Sequence, residues 1–420
     1  MGENLCEAAA LPECALARRP QPVGAFPLPL GYMLIPAGDD TEEARTELLA
    51  GRIPQVWPAR LRAHELAFAG ERSAALAELA GSGAIERYNR FVLDPDGVDT
   101  DELRCALGEF GPLVDLVLFA VGRSDVPPQP GAADGELAAV MAAAAASHAL
   151  AAGDPAGALT LLDSAVDAAT AVSPPLAGVL QGAAASICVD TADTADTAAT
   201  WRLERALRLL DGCDGLRIER AELHLTLAGL LHEQAQQNPG LMVQAIPHYH
   251  STLQLVLRDE APLLWASAHA NLAAAYLVMP MVEASGQLRL GVAAQSLRSA
   301  LTVYTREDHP EQWASVQLNL ANSLVYTPSK HQEDNLREAV ELYEAVLAAR
   351  DRTTDPLGRA RVLANQGNVL AHLGMFEPAK AKLYEARSLF EELADQESVR
   401  AVRGVLDEIA RQVTLNRTAP

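Results

Sequence analysis

Apolar residues recur along most of this chain with the period of an α-helix, and no window shows the period-2 alternation of a continuous β-strand. Ala138–Ala152 and Ala156–Ala169 predict two helices that are joined at Gly153-Asp154-Pro155. Further helical hairpins are predicted from about Trp201 to Arg411. Apolar residues make up 49% of the chain but aromatic residues only 5%, so the core would consist mostly of Ala, Leu and Val. We therefore expect an almost all-α protein.

The N-terminal part of the chain is less regular. Four prolines within residues 20–29 forbid a continuous helix, and we expect the first 40 residues to form an irregular arm that packs on the body. Pro58–Leu79 predicts a helical hairpin that turns at Gly70. Asp99 would start one helix that runs towards Val121.

One sequence motif recurs at a nearly constant spacing along the chain. Leu264–Ala273 and Gln312–Ala321 both contain Trp-Ala-Ser followed by Asn-Leu-Ala, and their tryptophans lie 48 residues apart. Fainter copies occur at Glu222–Ala228 and Val362–Asn368. This period indicates an array of helical hairpins in which each hairpin contacts mainly its neighbours.

Residues 126–134 form the clearest boundary, because three prolines and a glycine stop helices and stiffen the connection. We therefore expect three parts: an N-terminal helical region with an irregular arm over residues 1–125, a linker over 126–134, and a helical-repeat domain over 135–415. Two long connections are predicted in the repeat domain, at residues 279–290 and 326–335.

Six residues near the C-terminus have the spacing of a tetratricopeptide repeat (TPR), in which small residues let the two helices of a hairpin touch. They are Gly367, Asn368, Gly374, Phe376, Ala379 and Ala386. Ala300–Asn322 and Asp334–Glu344 resemble a long-period bacterial TPR subtype that is often found with caspase-like CHAT domains, although we recognise no such domain in this sequence. The resemblance is specific over residues 245–395, and it implies a right-handed α-solenoid of TPR-like hairpins, preceded by a mixed, mostly helical region.

The resemblance also implies that the first helix of each hairpin lines a concave groove in which a partner binds. The predicted groove residues are Asn271, Asn319, Asn322, Arg361, Asn365, Asn368, His224 and His269. Asparagines at positions i and i+3 share a helix face, and their amides offer both a donor and an acceptor to a peptide backbone. The alternative is that these asparagines bond neighbouring helices and stabilise the stack. A lysine clamp for a terminal carboxylate is not expected, because Ala270, Leu318 and Ala364 stand where lysines would be needed.

Histidines form a second cluster of interest. His224 and His269 occupy equivalent positions of adjacent repeats, so their side chains could approach each other across the groove. A metal ion would need three or four converging ligands, and His248 and His250 are two positions apart, where side chains of a helix diverge. We expect neither a metal site nor a cofactor.

The net charge and the motifs in the sequence limit the classes of function that we expect. The net charge of −22 opposes binding to a phosphate backbone, so we expect a basic protein or peptide partner and no nucleic acid, although acidity also serves solubility. No secretory signal and no membrane-spanning stretch is recognisable, and five scattered cysteines are typical of reduced thiols in the cytoplasm. No phosphate-binding glycine loop or nucleophile elbow is recognisable, and Phe68 replaces the second histidine of a metalloprotease-like phrase that begins at His64-Glu65.

These observations predict a non-enzymatic scaffold or adaptor that binds a partner polypeptide in its groove. One alternative is an assembly or maturation chaperone for a metalloenzyme complex. Another is a regulator that senses a peptide or a small ligand. The ends of a repeat array often pair, so a homodimer is compatible with the sequence, although no residue demands one.

Overall fold

The computed structural model describes residues 19–129, 131–191, 197–279, 285–326, 331–350 and 352–418. Within these ranges the regular structure is helical apart from two very short strands, which confirms the all-α prediction. The chain divides into two compact units, Met1–Gln234 (unit 1) and Ala235–Pro420 (unit 2). No helix in the described ranges is both long and apolar enough to cross a bilayer.

Unit 1 combines an irregular arm with eleven α-helices and four short 3-10 helices in its described part. Strands β1 (Gln21–Pro22) and β2 (Leu34–Ile35) pair antiparallel, with Gln21 opposite Ile35. The helices are α1 (Glu42–Leu49), α2 (Arg62–Phe68), α3 (Arg72–Glu78), α4 (Ala84–Leu93), α5 (Thr100–Leu107), α6 (Pro112–Ala120), α7 (Gly135–Ala151), α8 (Pro155–Thr170), α9 (Pro174–Thr191), α10 (Thr197–Leu209) and α11 (Arg217–Gln234). From α7 to α11, each helix packs against the next one in the chain.

The arm belongs to the core of unit 1. Met33, Leu34 and Ile35 are completely buried, and one apolar cluster joins them to residues as distant as Leu216. The boundary predicted over residues 126–134 lies inside this unit, and the same cluster contains side chains from before and after it. Residue 130 of that boundary is outside the described ranges.

Two local predictions in unit 1 had different outcomes. The hairpin of α2 and α3 does turn at Gly70, whose φ of +79° favours glycine. Asp99 does cap a helix, since its carboxylate accepts the backbone N–H of Asp101. The prediction of one helix towards Val121 was wrong, because α5 stops at Gly108, where φ is +58°, and α6 begins only at Pro112.

Unit 2 is more regular. Its helices are α12 (Leu241–Leu255), α13 (Pro262–Val278), α14 (Ser285–Ala300), α15 (Pro310–Tyr326), α16 (Gln332–Ala349), α17 (Pro356–His372), α18 (Phe376–Glu392) and α19 (Gln396–Thr418). Consecutive helices pack together, and the first helices of successive hairpins also touch: α13 contacts α15, α15 contacts α17, and α17 contacts α19. Such nearest-neighbour packing is that of an α-solenoid, as predicted.

The two long connections predicted in unit 2 are shorter than expected. Helix α14 already begins at Ser285, and Leu290, the predicted end of the connection, is buried within this helix. Helix α16 begins at Gln332 rather than after Asn335. Residues 280–284 and 327–330 lie outside the described ranges.

The last repeat shows why small residues recur at fixed positions. A Cβ atom on Gly367 would lie 2.6 Å from Cγ of Leu383, so α17 and α18 pack closely at this glycine. Ala379 and Ala386 are completely buried on α18. Gly374 connects the two helices with a φ of +73°. The glycine and alanine spacing in the sequence thus corresponds to a close helix contact and a tight turn.

Candidate interaction groove

The first helices of the hairpins in unit 2 carry the predicted asparagines. Asn271 on α13 is exposed, whereas Asn319 on α15 and Asn365 on α17 are half-buried. These three residues occupy equivalent positions of successive repeats. The side chains of Asn271, Asn319 and Asn368 make no hydrogen bond within the described ranges, so their amides are available to a partner.

Asn322 has a different environment from the other asparagines. Its carboxamide oxygen accepts a hydrogen bond from the Tyr343 hydroxyl at 2.6 Å and another from Nδ2 of Asn365 at 3.2 Å. These bonds join α15, α16 and α17. Asn322 therefore matches the alternative interpretation, in which an asparagine stabilises the stack of helices. Asn365 contributes to the same stack, because its amide nitrogen donates to Asn322.

A second polar network at the same repeats was not anticipated from the sequence. Nε2 of Gln366 donates to the Glu344 carboxylate at 2.9 Å and to the Val340 carbonyl oxygen at 3.2 Å. Lys382 donates to the same carboxylate at 2.8 Å. Hydrogen bonds from Lys382 and Gln366 lower the pKa of Glu344. In the sequence, Gln366 is only a polar residue between Asn365 and Asn368, and its position there does not identify its partners.

The structure brings Arg361, Asn365 and Asn368 together at one concave site. With Ser398 of α19 they line a cavity of about 230 Å³ between α17 and α19. Its apolar lining comprises Ala364, Phe390, Ala401, Val402 and Val405. A second cavity of about 420 Å³ shares Asn368, Ala401 and Val405 with it, so the two form one groove along these helices. We call this surface the α17–α19 groove.

Charge at the groove is mixed. Arg361 is exposed and has no ion pair within 4.0 Å in the described ranges. Hydrogen bonds from Ser398 lower the pKa of Asp395, and the charge of Arg361 adds a smaller effect in the same direction. Further along, Glu408 and Arg411 pair at 2.7 Å. The exposed guanidinium of Arg361 thus lies at one end of the groove, and the Glu408–Arg411 ion pair lies towards the other end.

The predicted histidines are not brought together within one unit. His224 belongs to unit 1 and His269 to unit 2, so their approach stays a prediction. The ring of His269 lies edge-on to Trp265, with centroids 4.3 Å apart, and burial lowers the pKa of His269. Nε2 of His250 lies 2.9 Å from the Tyr276 hydroxyl. No group of three or more potential metal ligands occurs within the described ranges.

Comparisons with known proteins give three solved structures as examples. The apo form of RapI is 14% identical, matches 66% of this chain and 98% of its own, and has a TM-score of 0.41. A Rap protein complexed with competence and sporulation factor is 13% identical, with coverages of 84% and 96% and a TM-score of 0.37. The TPR domain of P58(IPK) is 14% identical, with coverages of 86% and 99% and a TM-score of 0.27.

All three TM-scores lie below 0.5, so the fold assignment rests on the packing of the helices themselves. No family model matches the sequence, and no curated protein matches it.

Proposed function

We propose that this protein is a non-enzymatic scaffold or adaptor and that it binds a polypeptide segment of its partner in the α17–α19 groove. The observation that carries the proposal is the convergence of Arg361, Asn365 and Asn368 at a concave site with an apolar lining. These residues come from one helix face, and Ser398 completes the rim from the next hairpin.

The chemistry of the groove suits an extended peptide. The amide of Asn368 and the Oδ1 atom of Asn365 can pair with backbone groups of a bound segment, which carries one donor and one acceptor at nearly every residue. The apolar lining, which includes Phe390 and Val402, offers a place for one or two apolar side chains. Arg361 would hold a carbonyl or carboxylate oxygen.

The preference for a basic partner belongs mainly to unit 1. Residues 1–234 contain 16 Arg and 34 Asp or Glu, a net charge of −18, whereas residues 235–420 contain 17 Lys or Arg and 21 Asp or Glu, a net charge of −4. We propose that long-range attraction to the acidic unit raises the association rate of a basic partner, while the groove supplies the short-range contacts.

A random peptide library displayed on phage and selected on the purified full-length protein tests this proposal. We expect the selected peptides to lose about tenfold in affinity, or about 1.4 kcal/mol, in Asn368→Ala and in Arg361→Ala. Asn238→Ala is the matched control, since Asn238 is exposed in unit 2 outside the groove. Failure to enrich any peptide, or peptides that bind both groove variants as tightly as the control, would refute groove binding.

A further inference from the structure

The last helix of unit 2 has one face that is exposed to solvent. Helix α19 packs against α18 and α17, and it buries Val399, Val402 and Ile409 on the side that meets them. The residues on the opposite side are exposed and follow the three- and four-residue spacing of one helix face: Glu397, Arg400, Gly404, Glu408 and Arg411. We call this surface the outer face of α19. At about 1.5 Å per residue it is about 21 Å long.

The charges on the outer face form a pattern that is complementary to itself. Glutamates lie seven positions before Gly404 and four positions after it, whereas arginines lie four positions before it and seven positions after it. In an antiparallel pair of two α19 helices with both Gly404 residues at the twofold axis, Glu397 of one copy faces Arg411 of the other. In the same register, Arg400 faces Glu408. A parallel pair would place like charges opposite each other, which is unfavourable.

Two of the four charged residues have no ion pair of their own. Glu397 and Arg400 are three positions apart, but the ion pairs of α19 within the described ranges involve other side chains. Nε of Arg400 donates only to the Gln396 carbonyl oxygen, at 3.2 Å. Glu408 and Arg411 pair at 2.7 Å, and their side chains are 51% and 71% exposed. A second copy would extend this pair on both sides into a network of four charges, and networks stabilise more than isolated exposed pairs do.

The glycine at the centre of the outer face permits a close approach. A Cβ atom added to Gly404 would meet no other part of the chain within 4 Å, so packing within the chain does not require a glycine there. A glycine inside a helix is also less favourable than an alanine. In the antiparallel pair the two Gly404 residues meet at the axis, where the absence of side chains lets the two backbones come close.

The acidity of the chain does not prevent this contact. Residues 235–420 carry only −4 of the net charge of −22, and the outer face contains two glutamates and two arginines. At about 0.15 M salt the Debye length is about 8 Å, so repulsion between distant charges is largely screened, whereas oppositely charged groups in direct contact are screened less. Repulsion between two copies is therefore weak near physiological salt.

We propose that the outer face of α19 is a homodimer interface and that its occupant is the α19 helix of a second copy in antiparallel orientation. The interface is isologous, because each copy contributes the same residues to it. A contact that is confined to one helix is smaller than the standard protein interface of about 1,600 Å². We therefore expect a weak dimer, with a dissociation constant on the order of 10–100 µM.

The dimer interface is distinct from the peptide site of the proposed function. Gly404, Glu408 and Arg411 also line the larger cavity of the α17–α19 groove, so pairing would cover part of that cavity. None of the outer-face residues lines the smaller cavity, which contains Arg361 and Asn365. Dimerisation requires no peptide, so its absence would not contradict peptide binding.

Sedimentation velocity of the full-length protein over about 5–500 µM tests the proposal. The salt concentration is kept at about 0.15 M. We expect monomers at the lowest concentration and dimers at the highest, without larger species, because a twofold contact closes on itself. A protein that stays monomeric at about 500 µM overturns the proposal. Growth into larger oligomers also overturns it, since that would indicate a head-to-tail contact.

Two charge-reversed variants localise the contact. Glu397→Arg with Glu408→Arg makes the outer face entirely basic, and Arg400→Glu with Arg411→Glu makes it entirely acidic. Each variant alone should dimerise at least about tenfold more weakly, because like charges then face each other. An equimolar mixture of the two variants should restore dimers, since every facing pair is again of opposite charge.

The matched control is Glu333→Arg with Glu341→Arg, which changes the net charge as much as the basic variant does, at exposed positions of α16. It should dimerise like the unmodified protein. Circular dichroism verifies that each variant is folded, and Arg400→Glu alone, which breaks no ion pair in the described ranges, replaces a double variant that does not fold. The proposal is wrong if the control loses as much affinity, if the variants dimerise as tightly as the unmodified protein, or if the mixture of folded variants stays monomeric.

Discussion

Unit 1 and unit 2 differ in what their cores contain. The core of unit 1 includes the ionisable side chains of Arg45, His64 and Glu136. The buried polar residues in the described part of unit 2 are all neutral: Thr252, Ser296, Ser323 and Gln366. Burying a charged group costs free energy unless the group is paired. The core of unit 1 therefore has to compensate its ionisable groups, a requirement that the described core of unit 2 does not have.

The difference follows from the backbone. In unit 2 the helices satisfy most backbone groups internally, so apolar packing is sufficient. The arm of unit 1 is irregular, and side chains must bond its backbone. Asn89 bonds Leu34, the Tyr88 hydroxyl donates to the Tyr32 carbonyl at 2.8 Å, and Arg45 donates to the Arg19 carbonyl at 3.0 Å. Specific polar residues therefore define unit 1, whereas repeated apolar spacing defines unit 2.

The largest effect is expected for a core truncation in unit 2. Leu383 is completely buried against Gly367, so Leu383→Ala should lower the free energy of unfolding by about 2–5 kcal/mol, through lost burial and the cavity left behind. Urea unfolding followed by circular dichroism measures this. Leu393→Ala is the control, since Leu393 is 40% exposed, and its cost should stay below about 1 kcal/mol. If both substitutions lower the free energy of unfolding equally, close packing does not dominate the stability of unit 2.

A slightly smaller loss is expected where a side chain bonds the arm of unit 1. Asn89→Leu leaves the buried Leu34 N–H without its acceptor and should cost about 2–3 kcal/mol in the free energy of unfolding. The same urea experiment applies. Asn319→Leu, at a position without a hydrogen bond in the described part of the chain, should change stability by less than about 0.5 kcal/mol. A small effect of Asn89→Leu would mean that apolar packing alone holds the arm.

The buried ionisable groups make stability depend on pH. Glu136 is only 1% exposed, and burial raises its pKa to about 8, an effect that Ser173 and Arg45 partly offset. In the unfolded chain this carboxyl loses its proton near its ordinary pKa of 4.5. The folded state therefore binds more protons between these values, and Glu136 makes stability fall as the pH rises through this window.

His64 acts in the opposite direction at lower pH. Its pKa falls from 6.5 to about 4 on folding, so it makes stability rise with pH between these values. The two effects oppose each other below pH 6.5, and only that of Glu136 remains above it. We expect stability to fall by up to about 2 kcal/mol between about pH 6.5 and 8 and to stay nearly constant there in Glu136→Gln. Thermal unfolding across this range measures it, and an equal decline in the variant would assign the decline to other groups.

The smallest expected effect separates two asparagines of unit 2. Asn322→Ala removes an acceptor shared by Tyr343 and Asn365 and should destabilise the protein by about 1 kcal/mol. Asn368→Ala should leave stability within about 0.5 kcal/mol, because Asn368 has no such bonds within the described ranges. Urea midpoints of the two variants give the comparison. If Asn368→Ala proves the more destabilising, the roles assigned to the two asparagines are reversed.

The sequence predicted the hairpins of unit 2 better than the elements of unit 1. Helical periodicity and turn glycines such as Gly374 depend on only a few neighbouring residues, so helices and turns can be predicted from short stretches of sequence. The break at Gly108 was missed because the apolar pattern continues on both sides of it. The sequence did predict that the arm packs on the body, but it did not identify the contacts that bury residues 33–35, since these involve helices that are distant in the chain.

The sequence by itself determined the class of fold and the helix face that carries Arg361, Asn365 and Asn368, because spacings of three and four residues fix a face. Tertiary structure alone decided that Asn322 serves the stack while Asn368 faces an open groove, although both occupy the same repeat position. It also decided that Asn89 holds the backbone of the arm at Leu34. The physical reason is the same in both cases: hydrogen-bond partners depend on which distant elements come together, and the local spacing of residues does not specify this.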